Sequence, residues 1–164
     1  MNKTEFYRDF NRDFSALMAG ETSFLATLAN TSALLFERLD GVNWAGFYLL
    51  EGDTLVLGPF QGRIACVRIP VGKGVCGTAV AQDQVQRIDD VHAFDGHIAC
   101  DAASNAEIVL PLKVNGQVIG VLDIDSTVFG RFDEADEQGL RELVGHLETL
   151  LSATDYKKFF AHSA

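Results

Sequence analysis

An α+β fold is what this 164-residue sequence predicts: a central antiparallel sheet of about six strands, N- and C-terminal helices packed on one face, and a loop-covered pocket on the other. Three observations carry that expectation. Apolar residues recur at helical spacing near both ends of the chain, the middle changes to two-residue alternation, and Asn115-Gly116 separates two apolar runs as the strongest short-range hairpin signal. A doubly wound parallel sheet would need a helix after most strands, and the hairpins count against it.

Each element has its own warrant. Phe6, Phe10, Phe14 and Leu17 give the first twenty residues an amphipathic helical pattern, ended near Gly20. Thr22 or Ser23 can cap a second helix whose apolar face is Phe24, Leu25, Leu28, Leu34, Leu35 and Leu39, stopped by Gly41. From Asn43 to Leu50 the period is two, so Trp44, Gly46, Tyr48 and Leu50 share one face of a strand and Ala45, Phe47 and Leu49 the other. Glu51-Gly52-Asp53 turns the chain into a partner strand, TLVLGPF, and Arg63 to Ile69 reads as a third. The glycines of Pro70 to Gly77 form a loop that opens a short helix through Ala81; Gly74 is followed by Val75, so the Walker pattern is not met. Asp89 to Asn105 is polar and weakly periodic, as functional loops often are. Glu107 to Val114 and Gln117 to Asp125 are the strands of the Asn-Gly hairpin, and Asp133 caps a closing helix carrying Leu140, Leu143, Val144, Leu147, Leu150 and Leu151.

Residues 1–164 are expected to form a single domain, long enough to bury roughly two-thirds of its unfolded surface. A formal net charge of -10 repels a phosphate backbone or an anionic membrane, so nucleic acid and membrane are not expected partners. The N-terminal MNKTEFYRDF holds no apolar signal-peptide core, which makes the cytoplasm the expected location.

The stretch from Ile64 to Asp125 concentrates the chemistry. It holds all three cysteines, Cys66, Cys76 and Cys100, an odd set that no structural disulfide framework would use in a reducing compartment. Cys76 follows the glycine loop at a helix start, and Cys100 is three residues after His97; a helix N-terminus or a positive neighbour would favour the thiolate of either. A zinc site drawn from Cys66, Cys76, His92, His97 and Cys100 lacks the close cysteine pair that nucleates such sites, so no metal is expected. On the second hairpin strand Ile119, Val121, Asp123 and Asp125 share one face, so two carboxylates end an apolar stripe. The hairpin register places Glu107 opposite Ile124, beside both aspartates in position but not necessarily on their face. Three acids crowding one sheet end should raise at least one pKa and supply a proton donor near neutral pH.

With these residues assembled, the chain resembles the free-methionine R-sulfoxide reductases, small enzymes of a single GAF-fold domain. The resemblance runs from NWAGFY through IACVRIPVGKGVCG, HIACDAASNAEIVLP and GVLDIDS to FDEAD. It implies that Cys100 attacks the sulfoxide sulfur, that Cys76 or Cys66 condenses with the resulting sulfenic acid to a disulfide, and that thioredoxin reduces the disulfide. Glu107 and Asp125 are suited to the proton that the sulfoxide oxygen needs, Asp123 to the substrate ammonium, and Trp44 and Tyr48 to enclosing the methyl group. No bound cofactor is required, and the family suggests a homodimer. The rival reading is a GAF-type sensor that binds a small ligand without catalysis. Sensors of that kind usually carry an output domain, which this sequence is not expected to have.

Overall fold

The computed structural model describes residues 2–96 and 103–160. The elements run α1 (Lys3–Met18), α2 (Phe24–Arg38), β1 (Val42–Glu51), β2 (Thr54–Gly62), β3 (Arg68–Pro70), α3 (Gly74–Gln82), β4 (Gln86–Ile88), a 3-10 turn (Val91–Ala93), β5 (Ala106–Val114), β6 (Gln117–Ser126), α4 (Glu134–Ser152) and α5 (Lys157–Phe160). The six strands form one antiparallel sheet in the order β3-β2-β1-β6-β5-β4. The α+β expectation holds, with two differences. The third strand is three residues long rather than seven, and the sixth is Gln86–Ile88, too short to show a period.

Local signals explain the boundaries. Ser23 Oγ accepts the Ala26 N–H at the start of α2, and Asp133 and Asp136 form a reciprocal capping box at the start of α4. Asn115 and Gly116 both take positive φ, 52° and 80°, which a two-residue type I′ hairpin requires, and Val114 pairs with Gln117. A bulge follows. Lys113 pairs with Val118 but Leu112 pairs with Gly120, so Ile119 is the extra residue on β6 and the register beyond it moves by one.

The sheet separates two apolar layers. On one face Ala45, Phe47, Ile108, Leu110, Leu122 and Ile124 pack with Phe10, Phe14, Leu28, Leu35, Leu140 and Leu147 of the three long helices. Here α2 lies on β1 and β2, α4 on β5, and α1 on α4. The last contact is close: a side chain at Gly139 would place its Cβ 2.1 Å from Tyr7 Cγ. Leu17 and Leu25, expected on the buried faces, are instead 63% and 52% exposed. In α1 the buried row continues from Phe10 and Phe14 to Met18, a strict four-residue step that leaves Leu17 outside it.

One buried acid belongs to this layer. Asp136 is 1% exposed and receives Tyr7 Oη at 2.7 Å, Lys3 Nζ at 2.6 Å, the Asp133 N–H at 2.9 Å and Arg131 Nη1 at 3.3 Å. It is a fully compensated carboxylate that ties α1 to α4. Among the described residues, no helix is long and apolar enough to cross a membrane.

Candidate active site

The opposite face of the sheet carries α3 and the segments that lead to it. Its layer holds Trp44, Tyr48, Leu55, Ile69, Val75, Cys76, Ala79, Val109 and Val121. Alternation in β1 therefore turns Trp44 and Tyr48 the same way, as the sequence predicts. Their rings stack at 5.8 Å, and Trp44 also stacks on Phe60 at 5.2 Å. Sequence reasoning passed over Phe60; its signal lies in Gly46, the cross-strand partner, where an added Cβ would sit 2.3 Å from Phe60 Cβ.

The polar ends of the two aromatics reach the segment before β3. Trp44 Nε1 donates to the Arg63 carbonyl at 3.1 Å, and Tyr48 Oη to the Cys66 carbonyl at 2.9 Å. Residues 63–67 are therefore pinned by side chains from β1 instead of forming the long third strand expected from their pattern. Cys66 is half-buried there and is in the disulfide form.

The bulge at Ile119 decides the geometry of the acids. Glu107 pairs with Asp125 and not with Ile124, and Asp125 pairs on its other side with Trp44. Directly opposed residues of antiparallel strands share a face, so Trp44, Asp125 and Glu107 form one row across β1, β6 and β5. The next row is Gly46, Asp123 and Val109. The same parity change sends Ile119 to the helical layer, whereas the sequence alternation had placed it with Val121.

Cys76 joins these acids from above. It lies in the first turn of α3, and its Sγ donates to Glu107 Oε2 at 3.9 Å. The helix start is where the sequence puts it, but the groups facing it are carboxylates. Burial first, then the charges of Asp123 and Glu107, push its thiol well above the ordinary range, the opposite of activation. Burial likewise raises Glu107, helped by the charge of Asp123, and raises Asp123, helped by the charge of Asp125.

Asp123 and Glu107 are 5% and 7% exposed. Neither forms an ion pair with a lysine, arginine or histidine among the described residues, whereas Asp136 has two cations. Asp123 Oδ1 is buried with no hydrogen-bond partner among those residues. Such a cluster is a receptor for a cation or for protons, because its own members repel when ionised. Asp125 is half-buried at the edge of the same group. Cys100 and His97 lie outside the described residues. His92, named with the zinc candidates, is exposed and its Nε2 meets Asn105 Oδ1 at 2.9 Å.

Comparison with known proteins agrees with this layout. Residues 22–152 match the GAF domain model. The chain is 81% identical over 164 residues to free methionine-R-sulfoxide reductase of Escherichia coli strain K12, covering 100% of this chain and 99% of that one. It is 40% identical over 151 residues to the enzyme of the same name from Saccharomyces cerevisiae, covering 87% and 84%. Free methionine-R-sulfoxide reductase from Neisseria meningitidis, solved in complex with its substrate, superposes with a TM-score of 0.91 at 45% identity, covering 95% of this chain and 94% of that one. A domain that pairs this sheet with the acids and cysteines of its reactive face, and that shares four-fifths of its sequence with such an enzyme, belongs to the GAF family and within it to the free methionine-R-sulfoxide reductases.

Proposed function

We propose that the chain reduces free L-methionine (R)-sulfoxide to methionine with its own cysteines, and that thioredoxin renews them. The observation that carries this reading is the buried Asp123–Glu107 pair, which forms no ion pair with a cation among the described residues and stands beside Cys76 on the sheet face that carries Trp44. A free amino acid supplies the missing cation as its ammonium, and its methyl sulfoxide fits the polarizable aromatic side. The substrate complex of the Neisseria meningitidis protein supports the methionine sulfoxide part of this reading.

In this scheme Cys100 attacks the sulfoxide sulfur. The S–O bond is lost from the substrate, which leaves as methionine two electrons reduced, and Cys100 becomes the sulfenic acid. Glu107, held protonated by burial and by Asp123, supplies the proton that makes the oxygen a leaving group, with Asp125 opposite it to share that proton. A second thiol condenses with the sulfenic acid and releases water. The disulfide at Cys66 and the free, unactivated thiol of Cys76 favour Cys66 as the resolving residue and Cys100 as its partner. Thioredoxin then returns two electrons and two protons by thiol–disulfide exchange. No bound metal or organic cofactor enters the scheme.

In this reading the enzyme works as a homodimer, as the family resemblance implies, and the need for thioredoxin favours the cytoplasm. The test is thioredoxin-coupled turnover of the two methionine sulfoxide epimers. Methionine should appear from the R epimer alone; ligand binding without methionine would instead indicate a GAF sensor.

A further inference from the structure

The acids that suit an ammonium also form, with the thiol above them, a set of metal ligands. Cys76 Sγ, a Glu107 carboxylate oxygen and an Asp123 carboxylate oxygen lie within 4.8 Å of one another, and all three residues are buried. Sγ and Oε2 are 3.9 Å apart. Around a tetrahedral zinc, bonded at about 2.3 Å to sulfur and about 2.1 Å to oxygen, neighbouring ligand atoms stand about 3.6 Å apart. Closing the set therefore requires the ligand atoms to draw together by about 1 Å.

A second observation points to a cation. Asp123 is 5% exposed, and its buried Oδ1 has no hydrogen-bond partner among the described residues. Elsewhere this molecule compensates a buried carboxylate with lysine and arginine, at Asp136. Here no described lysine, arginine or histidine supplies that compensation, which leaves the site open to an added cation.

We propose that Cys76, Glu107 and Asp123 bind one soft divalent cation, of the zinc or cadmium class, and that this ion blocks the enzyme by occupying the place of the substrate ammonium. A sulfur ligand selects soft ions, and the set has too few oxygens for calcium or for octahedral magnesium. Binding displaces the thiol proton, and any proton held between the carboxylates, to solvent; nothing is oxidised or reduced. The blocking role rests on the reading of Asp123 as the ammonium partner, whereas the ion site itself does not.

The test uses cadmium ion alone. In a Cys66→Ser, Cys100→Ser variant Cys76 is the single thiol, and the ultraviolet charge-transfer absorption of a cadmium–thiolate bond should saturate at one ion per chain. Adding Asp123→Asn should weaken binding by at least about tenfold, since even indirect partners of a metal ligand are worth about 10- to 100-fold. Glu107→Gln makes the same comparison if the first variant loses native circular dichroism. Absence of a saturable band, or affinity unchanged by either acid substitution, would overturn the site. Excess methionine sulfoxide should release the cadmium to a metallochromic indicator. Release that fails while the acid dependence holds would overturn the blocking role and the ammonium assignment, and leave the ion site standing.

Discussion

Replacing methionine (R)-sulfoxide by its N-acetyl derivative removes the ammonium and keeps the reacting sulfur. Asp123 is 5% exposed and forms no ion pair with a cation among the described residues, so in the proposed scheme the substrate's charge is its counter-ion. Removing one partner of a buried ion pair costs about 3–5 kcal/mol, which at about 1.4 kcal/mol per decade is a loss of about 140- to 3,700-fold in kcat/KM. The structure selects the lower end. Asp123 and Glu107 are both raised by burial and by neighbouring acids, so the cluster can take up a proton when no ammonium arrives and escape part of the cost. The expected loss is therefore about a hundredfold or somewhat more. The assay is methionine release under saturating reductant, with the methyl ester, which keeps the ammonium, as the matched control. Turnover of the acetylated compound within about fivefold of the free amino acid would mean that the acids do not read the ammonium.

One cycle with methionine sulfoxide and no reductant should release one methionine and consume two thiols per chain, with Cys76 still open to alkylation after denaturation; three thiols remaining would refute the scheme. Glu107→Gln should lower kcat far more than it raises KM, because a proton donor acts in the transition state, while Asp123→Asn should mainly raise KM; identical defects would erase that division of roles. Glu107→Gln should also stabilise the fold above the ordinary carboxylate range. Below that range both folded and unfolded chains are protonated and the variant gains nothing; as pH rises the unfolded chain ionises first, so the native protein loses stability that the variant keeps, measurable as a gain in Tm at about pH 8 that vanishes near pH 4. Gly139→Ala, whose Cβ would lie 2.1 Å from Tyr7 Cγ, should lower Tm by about 5 °C through overpacking between α1 and α4.

The parts of the fold legible in the sequence are those encoded by local chemistry. Asn115-Gly116 sets its own turn, Asp133 its own cap, and the alternation of Trp44 through Leu50 its own two faces. What escaped depends on partners distant in the chain. The bulge at Ile119 cannot be read from QVIGVLDID, yet it moves Glu107 from Ile124 to Asp125 and brings the acids to one face. Residues 63–67 alternate like a strand but are held by Trp44 and Tyr48. The three acids were visible as a crowd; that Cys76 would be suppressed by them, and not activated by its helix, required their common face.

Successive residues of β6 answer to different demands. Leu122 faces the long helices and Val121 faces the reactive side, though a single peptide bond joins them. Variation on the reactive side can therefore redirect what the domain accepts while its resistance to unfolding stays set from behind, and one scaffold can be retuned between catalysis and simple ligand capture without first being rebuilt.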